Sequence, residues 1–176
     1  MKFEELPLKG AYVIDIEPRA DDRGMFARAF CARELAEHGL KSEVAQCNLS
    51  HNLRKGTLRG MHYQVPPFAE VKMIRCVRGA IYDAIIDLRR DSPTFLKWTG
   101  VELTDENRRA IYVPEGFAHG YQSLTDASEA FYIATQFYAP NSERGIRWND
   151  PLFNIQWPIA DPVLSPKDAA HEDFKP

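Results

Sequence analysis

The chain has 176 residues, 44% of them hydrophobic, and a formal net charge of -3. This length is enough for one domain with its own hydrophobic core, so we expect a single domain over residues 1–176. The mixed charges form no basic stripe that could neutralise a phosphate backbone, and no apolar run approaches the roughly 20 residues of a membrane span, so we expect no nucleic-acid and no membrane partner. Because the N-terminus lacks the pattern of a signal peptide, we expect a cytoplasmic protein.

Segments rich in β-branched and aromatic residues recur along the chain, interrupted by glycine, proline and aspartate, which is typical of strands. The predicted strands are 10–16, 71–77, 80–88, 97–103, 109–113, 120–124 and 130–138. Within 80–88, Asp83 and Asp87 are an even number of residues apart and should face one side of the sheet. The clearest helical pattern is 32–38, and a short helical turn is predicted after Ser165. Together these elements predict an all-β antiparallel barrel or sandwich with a few short peripheral helices.

The cysteines and the residues around His62 bear on metal binding. Cys31, Cys47 and Cys76 form no CxxC pair, which predicts reduced thiols and neither a disulfide framework nor a zinc knuckle. A metal centre in such a barrel usually takes at least two histidines and a carboxylate. Near His62, Gln64 stands where a His-x-His pair would need its second imidazole. We therefore expect no metal and no other cofactor.

Two segments carry residues suited to chemistry. Residues 56–64 place Arg59 and His62 on either side of Gly60, which we interpret as flexible, so a cation lies near a titratable imidazole. The same pair would also fit a structural histidine and a surface arginine. The second segment, 114–120, has two glycines that allow a sharp bend at the mouth of the barrel. Its His119 could be a ligand, a proton donor or a structural group.

A series of strings in order resembles the dTDP-4-dehydrorhamnose 3,5-epimerase family. The strings are QCNLS at 46–50, LRGMHYQ at 58–64, Lys72, 83–89 with SPTF at 92–95, VPEGFAHG at 113–120, Tyr132, WNDP at 148–151 and LSPKD at 164–168. The likeness runs from about Asp22 to Ala170. It implies a cupin-type jelly roll that works as a homodimer without a metal. It also implies an isomerase that inverts C3 and/or C5 of a dTDP-4-dehydro-6-deoxyhexose by removing a proton beside the 4-ketone.

The resemblance also implies roles for individual residues. His62 corresponds to the base, Asp168 to the residue that orients it, and Tyr132 to the acid that returns the proton from the opposite face. The residues that correspond to the lining of the substrate pocket, which would hold the nucleoside diphosphate sugar, are Arg23, Gln46, Asn48, Arg59, Lys72, His119, Glu143 and Lys167.

Elementary chemistry supports these assignments. A proton beside a ketone is weakly acidic, so its removal needs a base of near-neutral pKa, such as His62, and a cation such as Lys72 at the oxygen where enolate charge collects. A carboxylate on the far ring nitrogen would fix the histidine tautomer, a role for Asp168 or alternatively Asp83. A phenol can protonate the enolate without acting as a base, so Tyr132 suits the acid, although it could also be a packed strand aromatic.

The planar guanidinium groups of Arg23 and Arg59 suit a diphosphate.

The segment 1–16, with apolar alternation at 12, 14 and 16, is predicted to add a strand to a neighbouring barrel in the homodimer.

The chain departs from the family's pattern at four positions: Arg28, Cys47, Ile133 and Phe137. These departures leave open which nucleotide and which sugar the protein uses. The alternatives are an epimerase of another nucleotide-linked 4-keto sugar, an enzyme that inverts C3 alone, and a sugar-binding or metal-dependent cupin without epimerase activity.

Overall fold

Two antiparallel sheets packed face to face form the body of the protein in the computed structural model, which describes all 176 residues. The thirteen strands are β1 (Lys2–Glu5), β2 (Tyr12–Asp15), β3 (Arg19–Asp21), β4 (Gly24–Phe26), β5 (Gln46–Asn52), β6 (Leu58–Gln64), β7 (Lys72–Arg78), β8 (Ala80–Asp87), β9 (Trp98–Thr104), β10 (Ala110–Val113), β11 (Phe117–Ser123), β12 (Ser128–Ala134) and β13 (Glu143–Gly145). One sheet has the order β1-β2-β10-β7-β12-β5 and the other β13-β6-β11-β8-β9, while β3 and β4 form a separate hairpin. The predicted all-β jelly roll is confirmed.

The main hydrophobic core lies between the two sheets. Ile81 and Ile85 of β8 pack there against Ile74 and Ile111 of the facing sheet. Side chains two residues apart in a strand face the same way, so Asp83 shares this inward face with the two isoleucines. Burial of the apolar side chains supplies the main driving force for pairing the sheets.

The outer face of the five-stranded sheet is also covered. Ala84 and Ile86, which alternate with the inward residues of β8, pack against Phe153 and Ile155 of the C-terminal segment. This packing explains why β8 is buried along nearly its whole length. The C-terminal segment then brings its last helix against β6.

Two short helices accompany the sheets, α1 (Ala32–Glu37) and α2 (Pro166–Ala169). Helix α1 ends before Gly39, whose positive φ of 69° suits a left-handed helix stop. Helix α2 begins where Ser165 caps the backbone N–H of Asp168 and Pro166 occupies the first helical position. Both helices agree with the sequence prediction, and neither is long and apolar enough to cross a bilayer.

Several strands differ from the prediction. Strands β5 and β6 were not expected. β5 is rich in Asn, Gln, Ser and His, and β6 includes Arg, Gly, His and Gln, and such residues rarely signal a strand. Strand β11 starts at Phe117 and not at 120, and β12 ends at Ala134, which leaves Tyr138 in the following loop. The predicted strand 10–16 is shortened to β2.

The first sixteen residues were predicted to add a strand to a neighbouring barrel, and this stays a prediction. Within one chain, β1 and β2 form a hairpin in the six-stranded sheet. The apolar side chains of this hairpin, including Phe3, Tyr12 and Ile14, pack against Met73 and Tyr112 of the same sheet. Burial of these side chains is thus achieved within one chain, and β1 is left at the edge of the sheet.

Candidate active site

Two adjoining cavities open between the sheets. The inner cavity, of about 220 Å³, is lined by Arg59, His62, His119, Tyr132 and Asp168 among others. The outer cavity, of about 340 Å³, shares His62 and Tyr132 with it. Lys72 also lines both, while the outer cavity extends to Gln46, Asn48 and Glu143. Most of the predicted site residues are therefore brought together.

A bulge in β6 places Arg59 and His62 in the same cavity. Residues three apart in a regular strand point to opposite faces. Here β6 pairs His62 with His119 and Arg59 with Tyr121, so three steps along β6 match two steps along β11. The extra residue in β6 turns both side chains toward the cavity.

Gly60 makes this bulge possible. Its φ is +131°, and a Cβ atom there would lie 2.5 Å from the Cα of Gly120 and 2.9 Å from the carbonyl oxygen of His119. Only glycine fits such a close approach of two strands. The interpretation of Gly60 as a flexible joint was wrong, because the residue is fixed by close backbone contact.

His62 and Asp168 form a hydrogen-bonded pair at the cavity wall. The Nε2 atom of His62 lies 2.6 Å from Oδ1 of Asp168, which is 5% exposed. The hydroxyl of Ser165 donates to Oδ2 at 2.9 Å, so the orientation of the carboxylate is fixed from its other side. Burial works to raise the pKa of Asp168, but hydrogen bonds from His62 and Ser165 outweigh it and hold that pKa below its ordinary value.

The ionised carboxylate determines where the proton of His62 resides. With Asp168 as acceptor, Nε2 carries the proton and Nδ1 carries the lone pair. Nδ1 has no hydrogen-bond partner within the protein and is available as a base.

Asp83, the alternative partner for His62, contacts a different histidine. It is fully buried, and its Oδ2 lies 2.9 Å from Nε2 of His119. Burial raises the pKa of Asp83, while His119 and Lys72 oppose that shift. The alternative that Asp83 orients His62 is therefore wrong, and the inward face of β8 explains the pairing with His119.

Tyr132 faces His62 from the opposite sheet. It lies on β12, paired with Asn48 of β5, whereas His62 lies on β6 of the other sheet. Burial raises the pKa of the Tyr132 phenol, with smaller contributions from Tyr121 and Glu70, so the hydroxyl stays protonated at neutral pH. The cavity therefore has an imidazole on one wall and a protonated phenol on the other.

Lys72 and Arg59 supply positive charge. Nζ of Lys72 lies 3.0 Å from Oε1 of Glu70, a partner that the sequence analysis did not identify. Nε of Arg59 donates to Oδ1 of Asn52 at 2.8 Å, and its Nη2 donates to the carbonyl of His51 at 3.2 Å. These contacts fix the guanidinium plane and leave its other terminal nitrogen free.

At the outer cavity, Glu143 binds two neighbours. Its Oε2 accepts hydrogen bonds from Nζ of Lys167 at 2.6 Å and from the hydroxyl of Tyr138 at 2.8 Å. Burial works to raise the pKa of Glu143, but the bonds from Lys167 and Tyr138 lower it overall. Lys167 thus reaches the rim of the cavity through Glu143, and Gln46 accepts from the backbone N–H of Tyr138.

Arg23 is not brought to either cavity. It lies between β3 and β4, where its exposed guanidinium pairs with Asp21. The hairpin pairs with no strand of either sheet, so nothing within the chain carries Arg23 to the cavities. The prediction that Arg23 lines the pocket is thus not met within a single chain.

The four departures lie away from the cavity lining. Cys47 and Ile133 are register partners on β5 and β12, and they alternate with residues that line the outer cavity. Arg28 pairs with Glu34 at 2.7 Å, and Phe137 is largely exposed. None of the four lines either cavity.

The sequence analysis missed one residue beside the pair. Nε2 of His171 lies 3.7 Å from Oδ1 of Asp168. The centroids of the His62 and His171 imidazole rings are 5.6 Å apart. The segment 56–64 offers only one imidazole, and the C-terminal segment brings a second one close to it. The spacing of three residues after Asp168 was the available signal, because a helical turn after Ser165 places such residues side by side.

Comparison with known proteins gives a consistent result. The family model described as dTDP-4-dehydrorhamnose 3,5-epimerase matches residues 5–176. A dTDP-4-dehydrorhamnose 3,5-epimerase from Shigella flexneri is 45% identical over 165 residues, which cover 92% of this chain and 91% of that protein.

Solved structures are also similar. The dTDP-4-dehydrorhamnose 3,5-epimerase of Bacillus anthracis, with TDP and PPi bound, has a TM-score of 0.95 at 37% identity and covers 98% of this chain and 99% of its own. A 3'-monoepimerase from Streptomyces bikiniensis in complex with dTDP-quinovose has a TM-score of 0.89 at 33% identity, covering 96% of this chain and 85% of its own.

Proposed function

The chain belongs to the dTDP-4-dehydrorhamnose 3,5-epimerase family and is a nucleotide-sugar epimerase, and we propose that it inverts C3 and/or C5 of a dTDP-4-dehydro-6-deoxyhexose. In this proposal His62 is the base and Tyr132 is the acid. The observation that carries this assignment is that His62 and Tyr132 line one cavity from facing sheets. Inversion needs removal of a proton from one face of the ring and its return on the other. Family membership sets aside the alternative of a cupin without epimerase activity.

The first step is proton removal by Nδ1 of His62. The hydrogen bond from Nε2 to Asp168 keeps the Nδ1 lone pair directed into the cavity and stabilises the imidazolium that forms. As the C–H bond breaks, its electron pair moves into the sugar and negative charge collects on the ketone oxygen. The ammonium of Lys72, which lines the same cavity, is a cation that can stabilise this enolate.

The second step is protonation from the opposite wall by the Tyr132 hydroxyl. Its raised pKa keeps the proton in place until an enolate is present to accept it. The phenolate that remains is reprotonated from solvent, and His62 releases its proton likewise, so the enzyme is regenerated.

The remaining side chains are assigned to substrate binding. We assign Arg59 to the diphosphate, because its fixed guanidinium has a free nitrogen toward the inner cavity. His119 would contact the sugar from β11. Gln46, Asn48, Glu143 and Lys167 would contact the substrate along the outer cavity.

We also propose a homodimer in the cytoplasm. Phe26 is 74% exposed and Met25 44% exposed on the hairpin that carries Arg23, and such exposed apolar side chains suit a protein interface. If the hairpin of a second copy packed beside the cavities, Arg23 would reach the substrate there. The three unpaired thiols fit a reducing compartment. Light scattering that shows a monomer at micromolar concentration would contradict the homodimer.

The reaction is tested with dTDP-4-dehydro-6-deoxyglucose in deuterated water. Deuterium at C3 and C5 indicates both inversions, and deuterium at C3 alone indicates a 3-epimerase. We expect His62→Ala to lower exchange by at least about a hundredfold, the usual contribution of a general base. Exchange at the wild-type rate in a folded His62→Ala protein would remove His62 from the mechanism.

A further inference from the structure

His171 stands out because the epimerase reaction does not use it. Its Nε2 atom is buried and has no hydrogen-bond partner. A buried imidazole nitrogen without a partner is costly, and native structures rarely keep one without a reason. Gly145 provides the space for the ring, since a Cβ atom there would lie within 2.1 Å of Cε1 of His171.

This unpaired nitrogen of His171 lies beside an imidazole and a carboxylate, two kinds of group that can bind a metal. One ring nitrogen of His62, one of His171 and one carboxylate oxygen of Asp168 all lie within 4.8 Å of one another. Both imidazoles approach the same oxygen of Asp168, at 2.6 Å and 3.7 Å. Ser165 holds the other oxygen, so Oδ1 is kept between the two rings. Two histidines and one carboxylate with an open fourth position are a common donor set for zinc.

We propose that His62, Asp168 and His171 bind a zinc ion that reversibly inhibits the enzyme. Ligands at about 2.0–2.1 Å from a tetrahedral zinc are themselves about 3.3 Å apart. The distance between His62 and Asp168 must therefore lengthen by some tenths of an ångström, and that between His171 and Asp168 must shorten similarly. The two ring nitrogens, which lie within 4.8 Å, must approach by up to about 1.5 Å. Side-chain rotations provide such movements, and the His62 side chain, 28% exposed at the cavity, has room for them.

The chemistry of inhibition follows from the tautomer of His62. Zinc at Nε2 occupies the position of the proton shared with Asp168, and the proton moves through solvent to Nδ1. No proton is gained or lost, but the nitrogen that acts as base now carries a hydrogen and cannot accept another. Inhibition, unlike binding, rests on the proposed role of His62.

Binding is tested by calorimetry with Zn²⁺ alone on the tag-free wild-type protein. The critical variant is His171→Phe, which keeps a ring against Gly145 but removes the ligand nitrogen. We expect its zinc affinity to fall by at least about a hundredfold, because the loss of a ligand costs at least as much as the loss of a group that supports one. The matched control, His38→Ala, removes an exposed imidazole and should bind zinc as the wild type does.

Inhibition is measured as the ratio of rates with and without zinc for each variant, and a chelator should restore activity. We expect strong inhibition of the wild type and of His38→Ala, and little of His171→Phe. Equal zinc affinities of wild type and His171→Phe, or no binding to either, would overturn the site. Binding that depends on His171 without inhibition would leave the metal site intact and instead contradict the role of His62 as base.

Discussion

Nε2 of His62 and Oδ1 of Asp168 lie 2.6 Å apart although 106 positions separate them in the chain. The contact exists because the C-terminal segment packs over the outer face of the five-stranded sheet and carries α2 to β6. The cap of α2 at Ser165 then fixes the carboxylate. The hydrogen bonding of His62 thus depends on a segment outside the two sheets.

We predict that Asp168→Asn lowers kcat/KM by about a hundredfold or more, because an amide neither fixes the tautomer nor stabilises the imidazolium. The comparison variant is Ser165→Ala, which removes the hydroxyl that holds Oδ2 and caps α2 but keeps the carboxylate of Asp168. Its activity should fall much less. Steady-state kinetics check both variants, and an Asp168→Asn enzyme as active as Ser165→Ala would contradict the pairing.

We predict that Gly60→Ala unfolds the protein or greatly lowers its free energy of unfolding, because the new Cβ atom meets the backbone of Gly120. Gly24→Ala is a matched control, since Gly24 has a φ of +128° with no atom within 4 Å. The free energy of unfolding of Gly24→Ala should fall only by the cost of an unfavourable backbone conformation, about 1–2 kcal/mol. Urea unfolding measures the loss of unfolding free energy in Gly60→Ala and in Gly24→Ala. Similar losses in the two variants would show that no close strand approach exists at Gly60.

The sequence predicted the architecture and most of the site but not the way in which the site is assembled. The strings around His62, Tyr132 and Asp168 indicated the chemistry. The bulge at Gly60 could not be predicted, because it depends on the approach of β11, which is far along the chain. Arg23 lies outside both cavities of its own chain, and sequence likeness does not show which copy of the chain its hairpin contacts.

Strands β5 and β6 were missed for a physical reason. Their polar side chains, such as Asn48 and Arg59, line or support the cavities and lower the β propensity of the segments. Pairing with β12 and β11 stabilises these strands nonetheless. Sequence patterns are weakest where function has replaced apolar residues by polar ones.

We predict that the stability difference between wild type and Tyr132→Phe changes only at alkaline pH. The pKa of Tyr132 is raised in the folded protein by burial, so the folded state holds its proton more tightly than the unfolded state. This contribution is fully present below the unfolded pKa of about 10 and is lost as pH rises through the folded pKa. Urea unfolding of both proteins between neutral and strongly alkaline pH checks it. A difference that is constant across that range would contradict the burial of the phenol.

The most direct measurement of the mechanism follows exchange and inversion together in Tyr132→Phe. Removal of the phenol oxygen leaves His62 able to form the enolate but removes the acid on the opposite wall. The variant should exchange the substrate proton for deuterium with retention of configuration, while epimerised product falls by about a hundredfold or more. Proton NMR of one deuterated sample reports both rates. Wild-type rates for both exchange and inversion would contradict the account and place the proton donor elsewhere, with His119 or Tyr138 as the remaining candidates.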